Sequence, residues 1–225
     1  MIVLALDTAT TDLIAGVVDS ETGETIAESI VETRAHNEQL VPTVQSLLDT
    51  AGLAFTDIGA VVVGCGPGPF TGLRVGMATA SALGQALGVP VHGVVTHDAV
   101  AHALAADSAL VVTDARRREV YWAHYVNGRR VAGPEVTAPG AVLIDGDVAV
   151  LSVPQHLAET LNVEARNTVY QSPTPAALVA VADLDSEPAL LVPHYLRRPD
   201  AVPPTPKPKS PAIPDVDISA AGSAR

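Results

Sequence analysis

Three short apolar segments at the start of the chain are separated only by turns, and this spacing constrains the fold more than any other feature. The segments cover residues 2–6, 13–18 and 25–32, and turn-forming residues occupy 10–12 and 19–23 between them. Short apolar or alternating runs that are bounded by such turns are typical of β-hairpins. The sequence therefore predicts three consecutive antiparallel strands.

Helix and strand patterns alternate after the third strand. Apolar residues recur at helical spacing over residues 37–51, and Gly52 is predicted to end this helix. A second helix is predicted over 71–87 with Thr71 as its N-cap. Buried strands are predicted over residues 60–63 and 91–95. The order β-β-β-α-β-α-β, with hairpins first and parallel crossovers after, indicates an α/β protein of the ribonuclease H-like (ASKHA, actin-like ATPase) fold.

A second region follows, because proteins of this layout carry two lobes. Helices are predicted over residues 97–106 and 175–182, and strands over 110–113 and 119–126. Residues 128–169 carry no periodic pattern that assigns an element to them.

The chain is predicted to divide into three parts. Residues 1–106 form a ribonuclease H-like lobe that binds a partner, and residues 107–198 form a smaller C-terminal α/β lobe. Residues 199–225 contain seven prolines and almost no bulky apolar side chains. Such a composition predicts a disordered, proline-rich tail.

Composition favours a soluble cytoplasmic protein. Hydrophobic residues make up 48% of the chain but aromatic residues only 3%, so the core must be built from small and β-branched side chains. No signal peptide and no uninterrupted apolar run of roughly 18 residues is found. The single cysteine, Cys65, cannot form an internal disulfide. We therefore expect a cytoplasmic location and no membrane partner.

The charge of the chain argues against direct binding of nucleic acid. The net charge is −12, from 25 acidic and 13 basic residues, and an acidic body repels phosphates. We therefore expect contact with nucleic acid only through a partner. The basic cluster of the predicted folded part is Arg116 to Arg118, which is typical of a solvated turn; whether it touches nucleic acid stays open.

The turn after the first strand has two readings. Asp7, Thr8 and Thr10 lie where phosphate-binding proteins of this fold place a carboxylate and hydroxyls beside a nucleotide. Alternatively, these side chains form hydrogen bonds with the backbone of their own hairpin turn. No second phosphate loop is found, so the sequence favours the turn, and the three residues are at most a vestigial phosphate loop.

The most distinctive segment is the glycine-rich loop of residues 64–74. It invites comparison with a phosphate loop, but Pro67 and Pro69 remove N–H donors that an anion would need. The helix that follows repeats small residues at every fourth position. This stripe predicts close helix packing, either on the protein's own sheet or against another molecule; it comprises Gly72, Gly76, Ala80, Gly84 and Gly88.

The sequence predicts no catalytic residue and no metal site. His36 opens the first helix, but its helical neighbour four residues later is Leu40, which cannot bind a metal. Cys65 is interpreted as a small buried hydrophobe rather than a nucleophile.

Five segments carry a resemblance to one family, over residues 1–198 as a whole. The chain resembles the TsaB (YeaZ) family, the bacterial tRNA threonylcarbamoyladenosine biosynthesis subunit. The matching segments are residues 4–10, 36–40, 66–74, 114–121 and 193–197. The chain departs from the family at Pro69, where a serine is usual.

The resemblance implies a non-catalytic scaffold that binds TsaD as a heterodimer. TsaD transfers threonylcarbamoyl to the adenosine beside the anticodon (t6A) of ANN-decoding tRNAs, and the ATPase TsaE completes the machinery. The chain alone would bind no cofactor, and any ATP or ADP would lie at the partner interface. TsaD binds a metal through two histidines that are four residues apart. The resemblance matches these two positions to His36 and Leu40 of this chain, so the second metal ligand is missing.

The resemblance also places the partner contact on the first two predicted helices. The residues assigned to it are Leu40, Val44, Leu47, Gly72, Gly76 and Ala80. We expect Gly76→Leu or Val44→Asp to abolish the complex and to leave the monomer folded.

Two other functions stay open at the level of sequence. One is an autonomous ASKHA-type phosphotransferase or metallopeptidase-like enzyme, which would need a nucleotide site or a metal pair. The other is a homodimer through the same helical face, formed when TsaD is absent.

Overall fold

Two five-stranded sheets form the framework of the protein in a computed structural model that describes residues 1–197. One sheet belongs to each half of the chain. The tail that the sequence predicts for residues 199–225 lies outside the described residues. Within residues 1–197, no helix combines the length and the apolar character that crossing a membrane requires.

The first sheet confirms the predicted strands and their directions. It consists of β1 (Ile2–Asp7), β2 (Asp12–Asp19), β3 (Thr25–Glu32), β4 (Ala60–Gly64) and β5 (Val91–Val94). Its order is β3-β2-β1-β4-β5, with antiparallel hairpins on one side and the parallel strands β1, β4 and β5 on the other. This arrangement is the ribonuclease H-like sheet that the sequence predicts.

The second sheet repeats this topology. Its strands are β6 (Ser108–Asp114), β7 (Val120–Val126), β8 (Arg129–Thr137), β9 (Val148–Ser152) and β10 (Ala165–Val169). Strands β6, β7 and β8 form antiparallel hairpins, whereas β6, β9 and β10 are parallel. The protein therefore has the two-lobed ASKHA-type architecture, and three strands lie in the region without a sequence assignment.

Helices cover both faces of the first sheet. Helices α1 (His36–Ala51) and α2 (Phe70–Leu87) pack on one face, and α3 (Thr96–Leu104) and α5 (Pro175–Ala180) pack on the other. Side chains of β1 alternate between these faces, because successive strand residues point in opposite directions. The short helix α4 (Gln155–Ala158) belongs to the second lobe.

Helix α2 begins one residue earlier than predicted, and its N-cap lies two positions before the predicted one. Pro69 is the N-cap and Thr71 lies inside the first turn, so the prediction that Thr71 caps the helix is wrong. Pro69 has extended backbone angles that lead the chain into the helix, and no side chain caps it. At the end of α1, Gly52 adopts the left-handed conformation (φ 67°) of a helix C-cap, as predicted.

Helices α3 and α5 join the two lobes. Helix α3 packs Ala99 against the first sheet and Val100 and Ala101 against the second. Helix α5 comes late in the sequence but returns to the first sheet, where Leu178 is fully buried. The first lobe is therefore completed by a segment from the C-terminal part of the chain.

We expect Leu178→Ala to lower the free energy of unfolding by about 2–5 kcal/mol, because it leaves a cavity between α5 and the first sheet. Leu190→Ala is the matched control, since Leu190 is 91% exposed, and should change stability by less than about 0.5 kcal/mol. Urea denaturation measures both. Equal stabilities would contradict the docking of α5.

Candidate functional site

The candidate site lies at the carboxyl ends of the parallel strands, where ligands of α/β proteins commonly bind. Asp7 ends β1, Gly64 ends β4, and Thr96 follows β5. The Asp7 carboxylate is fully buried. It accepts hydrogen bonds of 2.7 Å from the backbone N–H of Ala9 and from Thr96 Oγ1. Thr96 Oγ1 also accepts a hydrogen bond of 3.2 Å from the N–H of Gly66, just after β4, so Asp7 and Thr96 together link the three strand ends.

Burial controls the ionisation of the groups around Asp7. Desolvation raises the pKa of Asp7 to about 6, although its two hydrogen bonds oppose the shift. Burial, together with the neighbouring Asp7, raises the pKa of the Cys65 thiol to about 12. A thiol in that state is not a nucleophile at neutral pH, which agrees with the interpretation of Cys65 from the sequence.

The hydroxyls of the β1–β2 turn are engaged within the chain. Thr8 Oγ1 donates to the carbonyl of Gly72 at 2.7 Å and accepts from the N–H of Gly76 at 3.0 Å. Thr10 Oγ1 accepts from the N–H of Asp12 at 3.1 Å. The turn reading therefore describes Asp7 and Thr10, whereas Thr8 bonds to α2 rather than to its own hairpin.

Main chain fills the space above this turn. A Cβ atom on Gly68 would lie 2.2 Å from the carbonyl oxygen of Ala9, and one on Gly64 would lie 1.8 Å from Asp7 Oδ2. Both positions therefore require glycine. The glycine-rich loop packs directly on the turn, where a phosphate group would have to lie, so the geometry favours a structural role for Asp7, Thr8 and Thr10.

The second lobe engages the next acidic side chain of the same hairpin. Asp12 is buried and accepts hydrogen bonds from Tyr170 Oη at 2.7 Å and from Ser172 Oγ at 2.5 Å. Both donors follow β10 in the sequence. These bonds link the segment after β10 to the β1–β2 hairpin.

The described histidines do not assemble a ligand set. Leu40 is buried beneath α1, and among residues 1–197 no group of three or more histidine, cysteine or acidic side chains has the geometry to hold a metal ion. His97 is fully buried, and its Nε2 lies 2.9 Å from Thr113 Oγ1. Burial lowers the pKa of His97 to about 3, so the ring is neutral.

The structure places the predicted partner-contact side chains inside this chain. Leu40, Val44 and Leu47 belong to the core beneath α1. On α2, Gly76 and Ala80 are buried and Gly72 is half-buried. That α1 and α2 form the partner contact stays a prediction, but direct contact would have to come from other residues on these helices.

The small-residue stripe of α2 packs on the protein's own sheet. A Cβ atom on Gly76 would lie 2.4 Å from Thr8 Oγ1, and one on Gly84 would lie 2.1 Å from Val91 Cγ2. The reading of the stripe as packing within the molecule is therefore confirmed for Gly72, Gly76, Ala80 and Gly84, whereas Gly88 is the exposed helix C-cap, and a Cβ there would meet no described atom within 4 Å. Both positions are buried, so Gly76→Leu and Val44→Asp are expected to cost stability, against the sequence-based expectation that they leave the monomer folded.

Sequence reasoning missed an exposed cluster at the start of α2. Phe70, which is 53% exposed, stacks on Tyr195 with ring centroids 5.2 Å apart. The guanidinium of Arg74 lies 4.0 Å from the centroid of the Phe70 ring, and its Nε donates to Tyr195 Oη at 3.0 Å. We call these three residues the α2 cluster. Its sequence signals are the matches of residues 66–74 and 193–197 to the family, and neither match indicates that the two segments contact each other.

The C-terminal segment, residues 189–197, positions Tyr195 in this cluster. Leu191 packs against the core beside Gly93, and the N–H of His194 donates to the carbonyl of Cys65 at 2.9 Å. Arg197 then contacts the carboxylate of Glu119 in the second lobe. The segment therefore crosses the glycine-rich loop and connects the two lobes.

We expect Gly76→Ala to destabilise the protein although alanine is the better helix former, because its Cβ would collide with Thr8 Oγ1. Thr8→Ala removes that atom, so the double variant should lose less stability than the sum of the two single losses. Urea denaturation of all four proteins measures the coupling. Additive losses would contradict the contact.

We expect Asp7→Asn to change the pH dependence of stability. A pKa raised from 3.8 to about 6 contributes stability that is complete below pH 3.8 and is lost as the pH rises through 6. The loss is roughly 3 kcal/mol relative to Asp7→Asn, at about 1.4 kcal/mol per pH unit. Denaturation from pH 4 to 7.5 measures it, with the exposed Asp145→Asn as control. Parallel curves for the wild type and Asp7→Asn would contradict the buried carboxyl.

Comparison with known proteins identifies relatives over most of the chain. Residues 25–198 match the sequence model of the family TsaD, tRNA N6-adenosine threonylcarbamoyltransferase. An uncharacterized protein of Mycobacterium tuberculosis (strain ATCC 25618 / H37Rv) is 51% identical over 203 residues, which are 89% of this chain and 94% of that protein. The tRNA threonylcarbamoyladenosine biosynthesis protein TsaB of Escherichia coli K12 is 38% identical over 129 residues, 56% of this chain and 55% of that protein.

The fold agrees with these matches. YeaZ from Pseudomonas aeruginosa superposes with a TM-score of 0.70 at 28% sequence identity, over 80% of this chain and 89% of YeaZ. The family match covers more than half of the chain, and the named relatives and the fold both support the same family. This chain therefore belongs to the TsaD family and, by its named relatives, to the TsaB (YeaZ) proteins within it.

Proposed function

We propose that this chain is the non-catalytic scaffold subunit that binds TsaD and supports threonylcarbamoyl transfer to the adenosine beside the anticodon (t6A) of ANN-decoding tRNAs. The proposal rests on one observation about this TsaB-type chain. The polar groups at the candidate site form hydrogen bonds within the protein, whereas the aromatic cluster at the start of α2 is exposed. The family's shared role in t6A biosynthesis supplies the reaction.

The geometry around Asp7 supports a role without chemistry. The carboxylate and the Thr8 hydroxyl are both consumed by hydrogen bonds to the chain itself. Glycine-rich main chain covers the turn, and the neighbouring thiol is held in its protonated form by burial. An autonomous phosphotransferase or metallopeptidase would need these groups to face a substrate, and no observation favours that alternative.

The outer faces of α1 and α2 supply the partner surface in this proposal. Phe70 on α2 and Val41 on α1, which is 49% exposed, are large apolar side chains at the surface. Aromatic residues and arginine dominate the binding energy of protein interfaces, and the α2 cluster contains both. The buried residues Leu40, Val44 and Gly76 would act indirectly, by fixing the two helices on the sheet.

The assembly follows from the same proposal. TsaD is the heterodimer partner and TsaE the further component, and tRNA is reached through the complex. Without TsaD, the same surface would pair with a second copy of this chain. ATP or ADP would bind at the subunit interface, and the complex would work in the cytoplasm without a membrane partner.

We expect Phe70→Ala to weaken binding to the TsaD of the same organism by about 10- to 100-fold, as for a central aromatic contact. Isothermal titration calorimetry measures the dissociation constant, and a tRNA modification assay at limiting subunit concentration should show a matching loss. Leu143→Ala is the control, because Leu143 is 82% exposed and lies in the second lobe.

Three outcomes separate the alternatives. A loss for Phe70→Ala alone supports the α2 surface. If Phe70→Ala binds TsaD as tightly as the wild type, the partner must contact another surface of the scaffold. Absence of any complex with the wild-type chain, together with transfer that does not depend on it, would overturn the scaffold function.

A further inference from the structure

An unusual turn connects β6 and β7 in the second lobe. Arg116, Arg117 and Arg118 have φ angles of 64°, 54° and 63°. Side chains with a Cβ atom rarely adopt this left-handed region, and runs of such residues are rarer than single ones. Glycine would hold the same backbone without the steric penalty, yet arginine occupies all three positions.

Several contacts hold this turn in place. The N–H of Arg116 donates to Asp114 Oδ1 at 2.6 Å, and the N–H of Glu119 donates to the carbonyl of Arg116 at 3.0 Å. Arg197 of the C-terminal segment contacts the same carbonyl and the Glu119 carboxylate. The backbone is thus anchored at both strand ends, while the side chains of Arg116 to Arg118 are exposed.

Positive charge is concentrated at this one place. Residues 1–197 contain nine basic and 22 acidic residues, and four of the nine basic residues are Arg116, Arg117, Arg118 and Arg197. Asp114 and Glu119 offset part of that charge, through contacts with Arg116 and Arg197. By sequence, residues 114–119 and 197 carry four arginines against two carboxylates, whereas residues 1–197 as a whole carry nine basic against 22 acidic side chains.

The turn lies beside the surface proposed for the partner. Tyr195 belongs to the α2 cluster, and Arg197, two residues later, contacts the turn. Two residues of extended chain span at most about 7 Å. A protein that docks on the α2 cluster and carries an RNA would therefore bring that RNA close to the turn.

We propose that Arg116, Arg117, Arg118 and Arg197, here called the arginine turn, contact the phosphate backbone of the RNA substrate once the partner is bound. The planar, permanently charged guanidinium matches phosphate oxygens in geometry and charge. The acidic body explains why the isolated chain needs the partner to bring the RNA within reach. This inference rests on the scaffold function proposed above.

The test compares two double variants in the complex with TsaD. Arg117→Gly with Arg118→Gly removes two charges and keeps the backbone, because glycine accepts positive φ. Arg117→Lys with Arg118→Lys keeps the charges. Arg129→Gln is the control for loss of a positive charge, since Arg129 lies beyond the opposite end of β7, about 20 Å away. Binding of a tRNA transcript is measured between 50 and 200 mM salt.

The glycine pair should bind the transcript at least about 10-fold more weakly, and the slope of log K against log salt should fall by about 2, roughly one per lost phosphate contact. The lysine pair and Arg129→Gln should keep most of the wild-type slope. Size-exclusion chromatography should show that every variant still forms the complex with TsaD.

Each contrary result has a separate meaning. If the complex forms and the glycine pair keeps the wild-type affinity and slope, the arginine turn does not contact RNA, and the scaffold function is untouched. If the variant with the two glycines no longer binds TsaD, the turn contacts TsaD rather than RNA, and the inference is overturned. If the wild-type chain itself forms no complex, both proposals fail together.

Discussion

Helix α2 approaches the β1–β2 turn closely because one hydroxyl, that of Thr8, bonds to two backbone groups of the helix. It donates to the carbonyl of Gly72 and accepts from the N–H of Gly76. Such bonds require the helix backbone within about 3 Å of the side chain, and a Cβ atom at either glycine would prevent it. Gly72 and Gly76 thus serve this contact, which helps to fix the position of the helix on the sheet.

The same closeness determines what the carboxyl ends of the strands can do. Once α2 and the glycine-rich loop lie against the turn, no water reaches Asp7, and its carboxyl group is stabilised by Ala9 and Thr96 alone. Burial then favours the neutral acid. A buried carboxyl group is withdrawn from any ligand, whereas an Mg²⁺ ion would need the carboxylate to be accessible. The packing that positions α2 therefore also buries the Asp7 carboxyl group.

Local pattern predicted the first lobe well and long-range contacts poorly. The hairpin strands, both long helices and the cap at Gly52 follow from periodicity and turn residues, which act over a few positions. Strands β8 and β10 show exposed or mixed positions without clear alternation, so nothing local marks them as strands. The pairing of Phe70 with Tyr195 joins distant parts of the sequence, and the left-handed arginines occupy positions where sequence rules expect glycine. Those features depend on tertiary structure.

The C-terminal segment, residues 189–197, connects these separate features. Within seven residues, Leu191 packs on the first core, His194 bonds to the glycine-rich loop, and Arg197 reaches the second lobe. Each contact restrains the next, because an extended chain has few ways to satisfy all three. Contacts within the chain itself therefore hold the aromatic cluster and the arginine turn in place without a partner. A surface already ordered loses less conformational entropy on binding, and this property would favour the scaffold role proposed above.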